Sequence, residues 1–407
     1  MTLAVTLACL AGCDRRGSAE GQGDARDRGP AAAESLDEPA GTGPGRASGN
    51  DGSAGKPVRI GAGEDQGIWL CVERSGAEAV NADAMLGFDE QARLGLVVRF
   101  GGRWYTDLPA AVVDGRVVHD PEPLAALPGL LRVAWYLVES AEPSWRNRDR
   151  NPEWWAAVRY DEHELPWDGR GVVEVDVRPA RLPGVSWTGK SVGTARFKAE
   201  VELGSVVLAT PGAEATGKGG VPLGVRRVTR RGGSGNAVVD AALGLANLPY
   251  IWGSAPVGGE GDWSSHQAEL FVGADCADLV VAAWRLSGLG NESYTSTARL
   301  LARHEASSIR IAGQRDGLYV GDGGAPVRFG PGGVEAGAML VWRFGTNLGK
   351  SHAAVLVQDR GPSGAPNGLL DEADLVLHAL WEPPVLEPLS EVLAFDPVAV
   401  VPRPGGG

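Results

Sequence analysis

A cysteine at the start of an apolar run is the first residue of this sequence that could carry out nucleophilic chemistry. Cys276 lies in GADCADLV, and the ADLVVAAWRL that follows predicts a buried helix over residues 277–286. Unsatisfied N–H groups and the positive end of the macrodipole favour a thiolate there and lower its pKa from the usual ~8.5. The carboxylates of Asp275 and Asp278 act in the opposite direction. A buried cysteine with no chemical role is the open alternative.

Two histidines in apolar segments supply the base that a thiol nucleophile requires. His352 lies in SHAAVLVQD and His378 in DLVLHAL, and both segments have the pattern of strands. A buried imidazole costs free energy unless it is paired, which favours a functional pair over two unrelated core residues. We expect His352 to accept the thiol proton and His378 to fix the tautomer of His352. The backbone N–H of Cys276 would help to bind the oxyanion.

Changes of composition along the chain predict the elements that position these residues. The apolar segment 1–13 is interpreted as a signal segment, and the Gly-, Ala- and Ser-rich segment 14–66 as a disordered tether. Many short β-rich runs over 67–212 predict an antiparallel β-sandwich, for which an immunoglobulin-like arrangement is one form. The segment 213–235 is interpreted as a linker, and 236–407 as a second domain that carries the cysteine and both histidines.

Charge and cysteine content exclude several classes of function. The 407 residues have a formal net charge of −13, which argues against nucleic acid as a partner because phosphate binding needs concentrated lysine and arginine. Four cysteines are present, and none has the spacing of a metal site. A disulfide between Cys71 and Cys276 is not expected, because the two residues fall in different predicted domains. We expect no metal.

The N-terminal apolar segment ends in LAGC, residues 10–13. This tetrapeptide resembles the lipobox of bacterial lipoproteins, in which signal cleavage leaves the cysteine as the acylated first residue. The resemblance implies that Cys13 is lipidated and that the protein is anchored to a membrane of the bacterial cell envelope, on the periplasmic or outer-surface side. Cleavage as an ordinary secreted protein is the alternative.

The order of motifs in the second domain resembles the NlpC-type family of papain-like cell-wall cysteine peptidases. The motifs are LGLANLPYIWGS, GADCADLVVAAWRLSG, GAMLVWRF with SHAAVLVQD, and DLVLHA. The resemblance implies an α+β, papain-like catalytic domain that hydrolyses amide bonds of peptidoglycan stem peptides without a cofactor. It assigns Cys276 as the nucleophile, His352 as the base and His378 as the orienting group. It also implies that the Tyr250 hydroxyl positions substrate or stabilises the oxyanion, unless Tyr250 is only a core residue.

One departure from the family bears on the substrate. DCAD stands where DCSG is usual, in a region that helps to define the amino-terminal side of the substrate, so Asp275 and Asp278 are expected to contact it. The segments 254–274, 305–331 and 359–370 resemble insertions. Two alternatives stay open: a papain-like amidase or acyltransferase that acts on another envelope substrate, and an inactive lipoprotein that binds the envelope.

Overall fold

Short valine-rich runs that end at glycine or at a polar turn form most of the regular structure. A computed structural model describes residues 58–60, 65–147, 158–175, 177, 192–259, 261–343, 351–392 and 397–402. Strands account for 41% and helices for 11% of the structure. β-branched residues lose little side-chain freedom in a strand and pack well on its pleated surface, which is why these runs form strands.

The predicted fold class, a papain-like α+β domain behind an antiparallel β-sandwich, is wrong. The chain is mostly β, with several sheets, a half-barrel and three helices in the described residues. The sheets of the first region are mixed, since strands 58–60 and 206–209 pair in parallel. Only two short runs of the sequence have helical periodicity, and they are too few to make the domain α+β. The apolar segments around them are rich in valine and pair as strands. Part of the predicted insertion 305–331 also forms strands.

The described residues of the first part of the chain form fifteen strands. The strands before residue 120 are β1 (Val58–Ile60), β2 (Gln66–Arg74), β3 (Ala79–Val80), β4 (Ala84–Leu86), β5 (Ala92–Phe100), β6 (Arg103–Thr106), β7 (Ala111–Val113) and β8 (Arg116–Val117). The next strands are β9 (Leu130–Ser140), β10 (Ser144–Arg146), β11 (Tyr160–Leu165), β12 (Val172–Glu174), β13 (Gly193–Leu203), β14 (Val206–Ala209) and β15 (Arg226–Arg230).

Two seven-stranded sheets organise this part. One has the order β1-β14-β13-β15-β4, with β9 paired to β13 and to β11; the other has the order β12-β5-β2-β3-β7-β8, with β6 beside β5. Their apolar faces share one core, in which Leu94 and Leu96 of β5 lie with Trp135 of β9 and Phe197 and Val201 of β13. Burial of these side chains stabilises the first part, at about 25 cal/mol for each Å² of apolar surface removed from water.

The second part adds three helices and nine strands. They are α1 (Ala237–Leu243), β16 (Tyr250–Trp252), α2 (Cys276–Leu286), α3 (Thr297–Arg303), β17 (Ile309–Arg310), β18 (Gly313–Arg315), β19 (Leu318–Val320), β20 (Met339–Arg343), β21 (Ser351–Gln358), β22 (Leu375–His378), β23 (Val385–Pro388) and β24 (Pro397–Val401). A six-stranded sheet runs β17-β24-β20-β21-β22-β23, and β18 and β19 form a separate pair. The described residues contain no helix long and apolar enough to cross a membrane.

Helices α1 and α2 cover one face of the six-stranded sheet. Val239 of α1 and Leu279 of α2 share a core with Val355 of β21. Ala354 of β21 points to the opposite face, into a second core. His352 has the phase of Ala354 and is the second residue of β21, opposite Trp342 in register. The histidine therefore lies at the beginning of its strand, whereas the middle of the strand supports the helices.

The two parts of the chain are joined by shared hydrogen bonds, and residues 55–407 form one compact unit. Strand β10 pairs in parallel with β16. Buried Asn147 donates to the Gly253 carbonyl and to Gln267 Oε1, at 2.7 Å each. The predicted linker 213–235 is not only a connection, since it supplies β15 to the first sheet. The residues before Cys276 are consequently held by strands from both parts of the chain.

The predicted N-terminal tether is partly structured. Residues 58–60 fall within the tether 14–66, yet they form β1 and pair with β14. Cys13, the segment 1–57 and the segment 61–64 lie outside the described residues. Lipidation of Cys13 and anchorage of the chain to a membrane therefore stay predictions from the sequence.

Candidate active site

Helix α2 begins at Cys276, which confirms the predicted position of the cysteine. Asp275 is the N-cap: one carboxylate oxygen accepts the N–H groups of Ala277 and Asp278 at 3.0 Å each. The other oxygen accepts the Gly253 N–H at 3.2 Å. An aspartate N-cap satisfies donors that a helix start leaves open, so the first turn is fixed. Cys276, half-buried, is thus held on a capped helix end.

Two groups contact the sulfur of Cys276. The Thr297 hydroxyl, on the first residue of α3, lies 3.9 Å from Sγ, and the backbone N–H of Ala353 also hydrogen-bonds to the sulfur. Both groups stabilise a thiolate because each can donate a hydrogen bond to it. Ala353 directly follows His352, so this contact brings the start of β21 to the start of α2. Thr297, 3% exposed, was not identified from the sequence.

A hydrogen-bonded chain of three side chains lies across strands β21, β22 and β23. His352 Nε2 is 3.0 Å from His378 Nδ1, and His378 Nε2 is 2.8 Å from Glu387 Oε1. His352 is fully buried and His378 is 5% exposed. The two imidazoles were predicted to be paired in strands, and the structure brings them together. Glu387, from the neighbouring strand, was not predicted.

Glu387 determines the direction of hydrogen bonding along this chain. A carboxylate only accepts, so His378 donates from Nε2 and is left with an acceptor at Nδ1. His352 must then donate from Nε2 to His378 Nδ1. Its other ring nitrogen, Nδ1, carries the lone pair and is the basic atom. The three side chains therefore provide one neutral imidazole of defined tautomer. The His352 ring has the phase of Ala354 and packs on Trp342, on the face of β21 opposite to the core that α2 joins, and the contact between this strand and the thiol is made by the Ala353 N–H.

Burial reverses the predicted shift of the thiol pKa. The pKa of Cys276 is raised to about 12, chiefly by burial and then by the Asp275 charge, although the Ala353 N–H and Thr297 act in the opposite direction. Burial and the neighbouring His378 lower the pKa of His352 to about 3. The expected depression of the thiol pKa by the helix start is therefore wrong. Both groups are neutral at rest, rather than a thiolate and an imidazolium.

The thiol pKa predicts slow alkylation of Cys276 at neutral pH. We expect its rate with iodoacetamide to rise about tenfold per pH unit from pH 7 to 9 without a plateau, since only the thiolate reacts. Asp275→Asn is expected to accelerate the reaction at pH 8, because asparagine caps a helix as well as aspartate does but carries no charge. Peptide mass mapping of timed samples measures the rate at each cysteine separately.

Cys71 provides the internal control for this measurement. It is fully buried, and burial raises its pKa to about 12 as well. We expect Cys71 to stay unmodified while the chain is folded, so that its alkylation reports unfolding. A rate at Cys276 that levels off below pH 8 in the folded wild-type chain would contradict the neutral resting thiol.

Tyr250 lies beside the nucleophile, as the sequence resemblance implies. It is 3% exposed, begins β16 and pairs with Ala274 in an isolated bridge two residues before Cys276. The pKa of the phenol is raised by burial first, and then by the charges of the Cys276 thiolate and Asp275. The phenol therefore stays protonated and can donate a hydrogen bond. Its role towards the substrate stays a prediction.

Asp278 faces the protein interior rather than open surface. Its side chain is 5% exposed and accepts the hydroxyl of Ser254. His266 Nε2 lies 3.9 Å from the same carboxyl, and the His266 ring stacks on Tyr294 with centroids 3.5 Å apart. Burial raises the pKa of Asp278 well above its usual range and lowers that of His266 to about 3. The Asp278 side chain and its hydrogen bond to Ser254 therefore support the first turn of α2, and contact of Asp278 with substrate stays a prediction.

A cavity of about 260 Å³ lies beside the site, between β9, β13 and the segment 247–249. Its lining includes Glu139, Tyr160 and Arg196, but neither Cys276 nor His352. The groups proposed for chemistry therefore lie outside this cavity. No group of three or more His, Cys, Asp or Glu side chains in the described part of the chain is arranged to hold a metal ion.

The residues of the candidate site that the sequence did not reveal carried weak signals. Glu387 stands in PVLEPL, an apolar segment in which a lone carboxylate requires a partner. His266, within the segment 254–274 that resembles an insertion, is 1% exposed and lies 3.9 Å from Asp278. Comparison with known proteins finds no matching family model, no matching curated protein and no matching solved structure.

Proposed function

We propose that this protein is a cysteine hydrolase that cleaves amide bonds, with Cys276 as the nucleophile and His352 as the general base. The observation that carries the proposal is the chain His352–His378–Glu387, which starts one residue from the backbone N–H that contacts the Cys276 sulfur. A half-buried thiol, a base of fixed tautomer and a group that orients the base are the parts that nucleophilic catalysis by cysteine requires.

The neutral resting pair defines the order of proton movements. As Sγ attacks the carbonyl carbon, the thiol proton passes to His352 Nδ1 and the carbonyl electrons move to the oxygen; this step requires the imidazole to reach the sulfur across the start of β21. His378 and Glu387 stabilise the imidazolium that forms. The oxyanion accepts hydrogen bonds from the N–H of Cys276 and from Tyr250. The C–N bond then breaks, His352 returns the proton to the leaving amine, and water hydrolyses the thioester with His352 again as base.

The proposed substrates are stem peptides of peptidoglycan, hydrolysed at an amide bond. The order of the motifs around Tyr250, Cys276, His352 and His378 supports this substrate class, and LAGC at residues 10–13 supports a location at the bacterial envelope. No cofactor takes part in the proposed reaction. The proposal concerns the arrangement of side chains and does not depend on a papain-like fold.

Digestion of soluble peptidoglycan fragments tests the proposed function. We expect the full chain to release pairs of new fragments whose summed mass exceeds that of the parent by one water molecule. Mass spectrometry identifies the cleaved bond. Cys276→Ala is expected to release none, whereas Cys71→Ala, the same substitution at the other described cysteine, is expected to behave as wild type. Digestion by the Cys276→Ala variant at the wild-type rate would refute the assignment of Cys276 as the nucleophile. Cleavage only of unrelated amides or thioesters would refute the substrate class.

A further inference from the structure

Two tryptophans near the candidate site are exposed to solvent. In the described part of the chain, Trp252 at 38% and Trp381 at 45% are the exposed tryptophans, while the others are buried or half-buried. An indole ring left in water forgoes the free energy of burial, so exposed tryptophans that lie together indicate a contact surface. Trp252 ends β16, the strand that begins at Tyr250, and Trp381 packs on the Tyr250 ring.

An arginine lies against both indole rings. The guanidinium carbon of Arg146 is 5.9 Å from the centroid of Trp252 and 5.1 Å from that of Trp381. Arg146 is exposed and forms no salt bridge with a carboxylate of the described residues. Stacking occupies the faces of a guanidinium and leaves the N–H groups on its edge free to donate. In a chain of net charge −13, this cation is thus available to an external anion.

The backbone ties this cluster to the nucleophile. In the parallel pair β10–β16, Arg146 is opposite Trp252 and Ser144 is opposite Tyr250. The Tyr250 ring packs on Trp381 with centroids 5.3 Å apart. Trp381 has a φ of 61°, in the left-handed region that a bulky residue rarely adopts. Such a strained conformation persists only where the surroundings impose it, and it is concentrated at functional sites.

We propose that Arg146, Trp252 and Trp381 form a carboxylate-binding subsite, which recognises a free carboxylate on the substrate residue next to the scissile amide. The inference rests on the proposed function and assigns its substrate class as acidic peptides. The guanidinium edge accepts a carboxylate in a two-pronged hydrogen bond, and the flanking indoles exclude water from that bond. Tyr250 packs on Trp381 and pairs with Ala274, two residues before Cys276, so it connects this subsite to the nucleophile.

A pair of peptides that differ in one group tests this subsite. Both contain a γ-linked D-glutamyl residue on the acyl side of the scissile amide, one with a free α-carboxylate and the other with an α-carboxamide. We expect wild type to cleave the carboxylate peptide with a kcat/KM about tenfold or more above that of the carboxamide, as for a charge-assisted hydrogen bond. Arg146→Gln is expected to remove this preference by slowing only the carboxylate peptide, and Arg146→Lys to retain part of it.

Arg159 provides a matched control. It also stacks on an indole, Trp145, at 5.8 Å, but its guanidinium is already paired with Glu142 at 3.2 Å. Arg159→Gln is expected to leave the preference between the two peptides unchanged. Two outcomes would overturn the proposed carboxylate-binding subsite: equal kcat/KM for the two peptides with the wild-type chain, or an equal loss of kcat/KM on both peptides with Arg146→Gln.

Calorimetric binding separates this inference from the proposed chemistry. We expect the inactive Cys276→Ala variant to bind the carboxylate peptide more tightly than the carboxamide, and the double variant with Arg146→Gln to bind both alike. Failure of wild-type cleavage together with this binding difference would refute the proposed hydrolysis and retain the subsite. Binding that requires Trp381 but is equal for the two peptides would overturn carboxylate recognition in favour of stacking on a sugar or another apolar group.

Discussion

Replacement of His352 by glutamine is expected to lower kcat on a cleaved peptide about 10²- to 10⁴-fold, the range that a general base contributes. The amide of glutamine can hydrogen-bond to His378 but cannot take the thiol proton at neutral pH. KM is expected to change little, because His352 is fully buried and, in the proposed reaction, acts on the nucleophile rather than on substrate binding. Steady-state kinetics with the wild-type chain and the variant measure both constants.

A double variant shows whether Cys276 and His352 act in the same catalytic step. Cys276→Ala is expected to lower kcat at least as much as His352→Gln, and addition of His352→Gln to Cys276→Ala is expected to lower it no further. Groups that act in the same step are strongly non-additive, whereas independent contributions multiply. Multiplicative losses in the double variant would contradict the assignment of His352 as the base for Cys276.

Glu387→Gln is the prediction with the second largest expected effect. Glutamine can either donate or accept, so the direction of hydrogen bonding through His378 is no longer fixed, and His352 Nδ1 carries a proton in part of the molecules. We expect kcat to fall about 10- to 100-fold, as for other outer partners of a functional histidine, with little change in KM. Steady-state kinetics measure the fall, and ¹⁵N shifts of the imidazole nitrogens report the tautomer.

Glu382→Gln is the matched control, since Glu382 is exposed and lies five residues earlier in the same segment. It is expected to leave kcat, the tautomers and the melting temperature at wild-type values. A purely structural role of Glu387 would lower the melting temperature without mixing the His378 tautomers. That outcome would remove Glu387 from the proposed relay and leave the assignment of Cys276 intact.

The neutral resting state suggests why the site combines a helix start with two aspartates. The helix end, the Ala353 N–H and the Thr297 hydroxyl stabilise a thiolate, whereas burial and Asp275 destabilise it. Burial and the Asp275 charge outweigh these hydrogen bonds at rest, so the thiol keeps its proton. In the proposed reaction, a bound substrate provides a carbonyl for attack, and the negative charge moves from the sulfur region to the oxyanion, to which Tyr250 and the Cys276 N–H would donate. Proton transfer and attack are therefore expected to occur together.

The sequence determined the local features of the site. Cys276 at the helix start, and His352 and His378 in strands, follow from side-chain type and periodicity over fewer than twelve residues, whereas Asp275, expected to contact substrate, is the N-cap. Asn236 likewise caps α1, as its position before an apolar run predicts. These features depend on hydrogen bonds to nearby backbone groups, so they can be read from neighbouring residues.

The tertiary structure decided everything that depends on distant pairing. It set the sheet content, which overturned the α+β papain-like fold, because pairing between strands is not encoded in any one segment. It brought Glu387 to His378 by the register of β22 with β23, and Thr297 to Cys276 through α3. It also reversed the thiol pKa, since desolvation by the surrounding chain outweighs the local effect of the helix start. Residue types and local order were in the sequence, whereas burial, and with it the charge state of the site, arose only from packing.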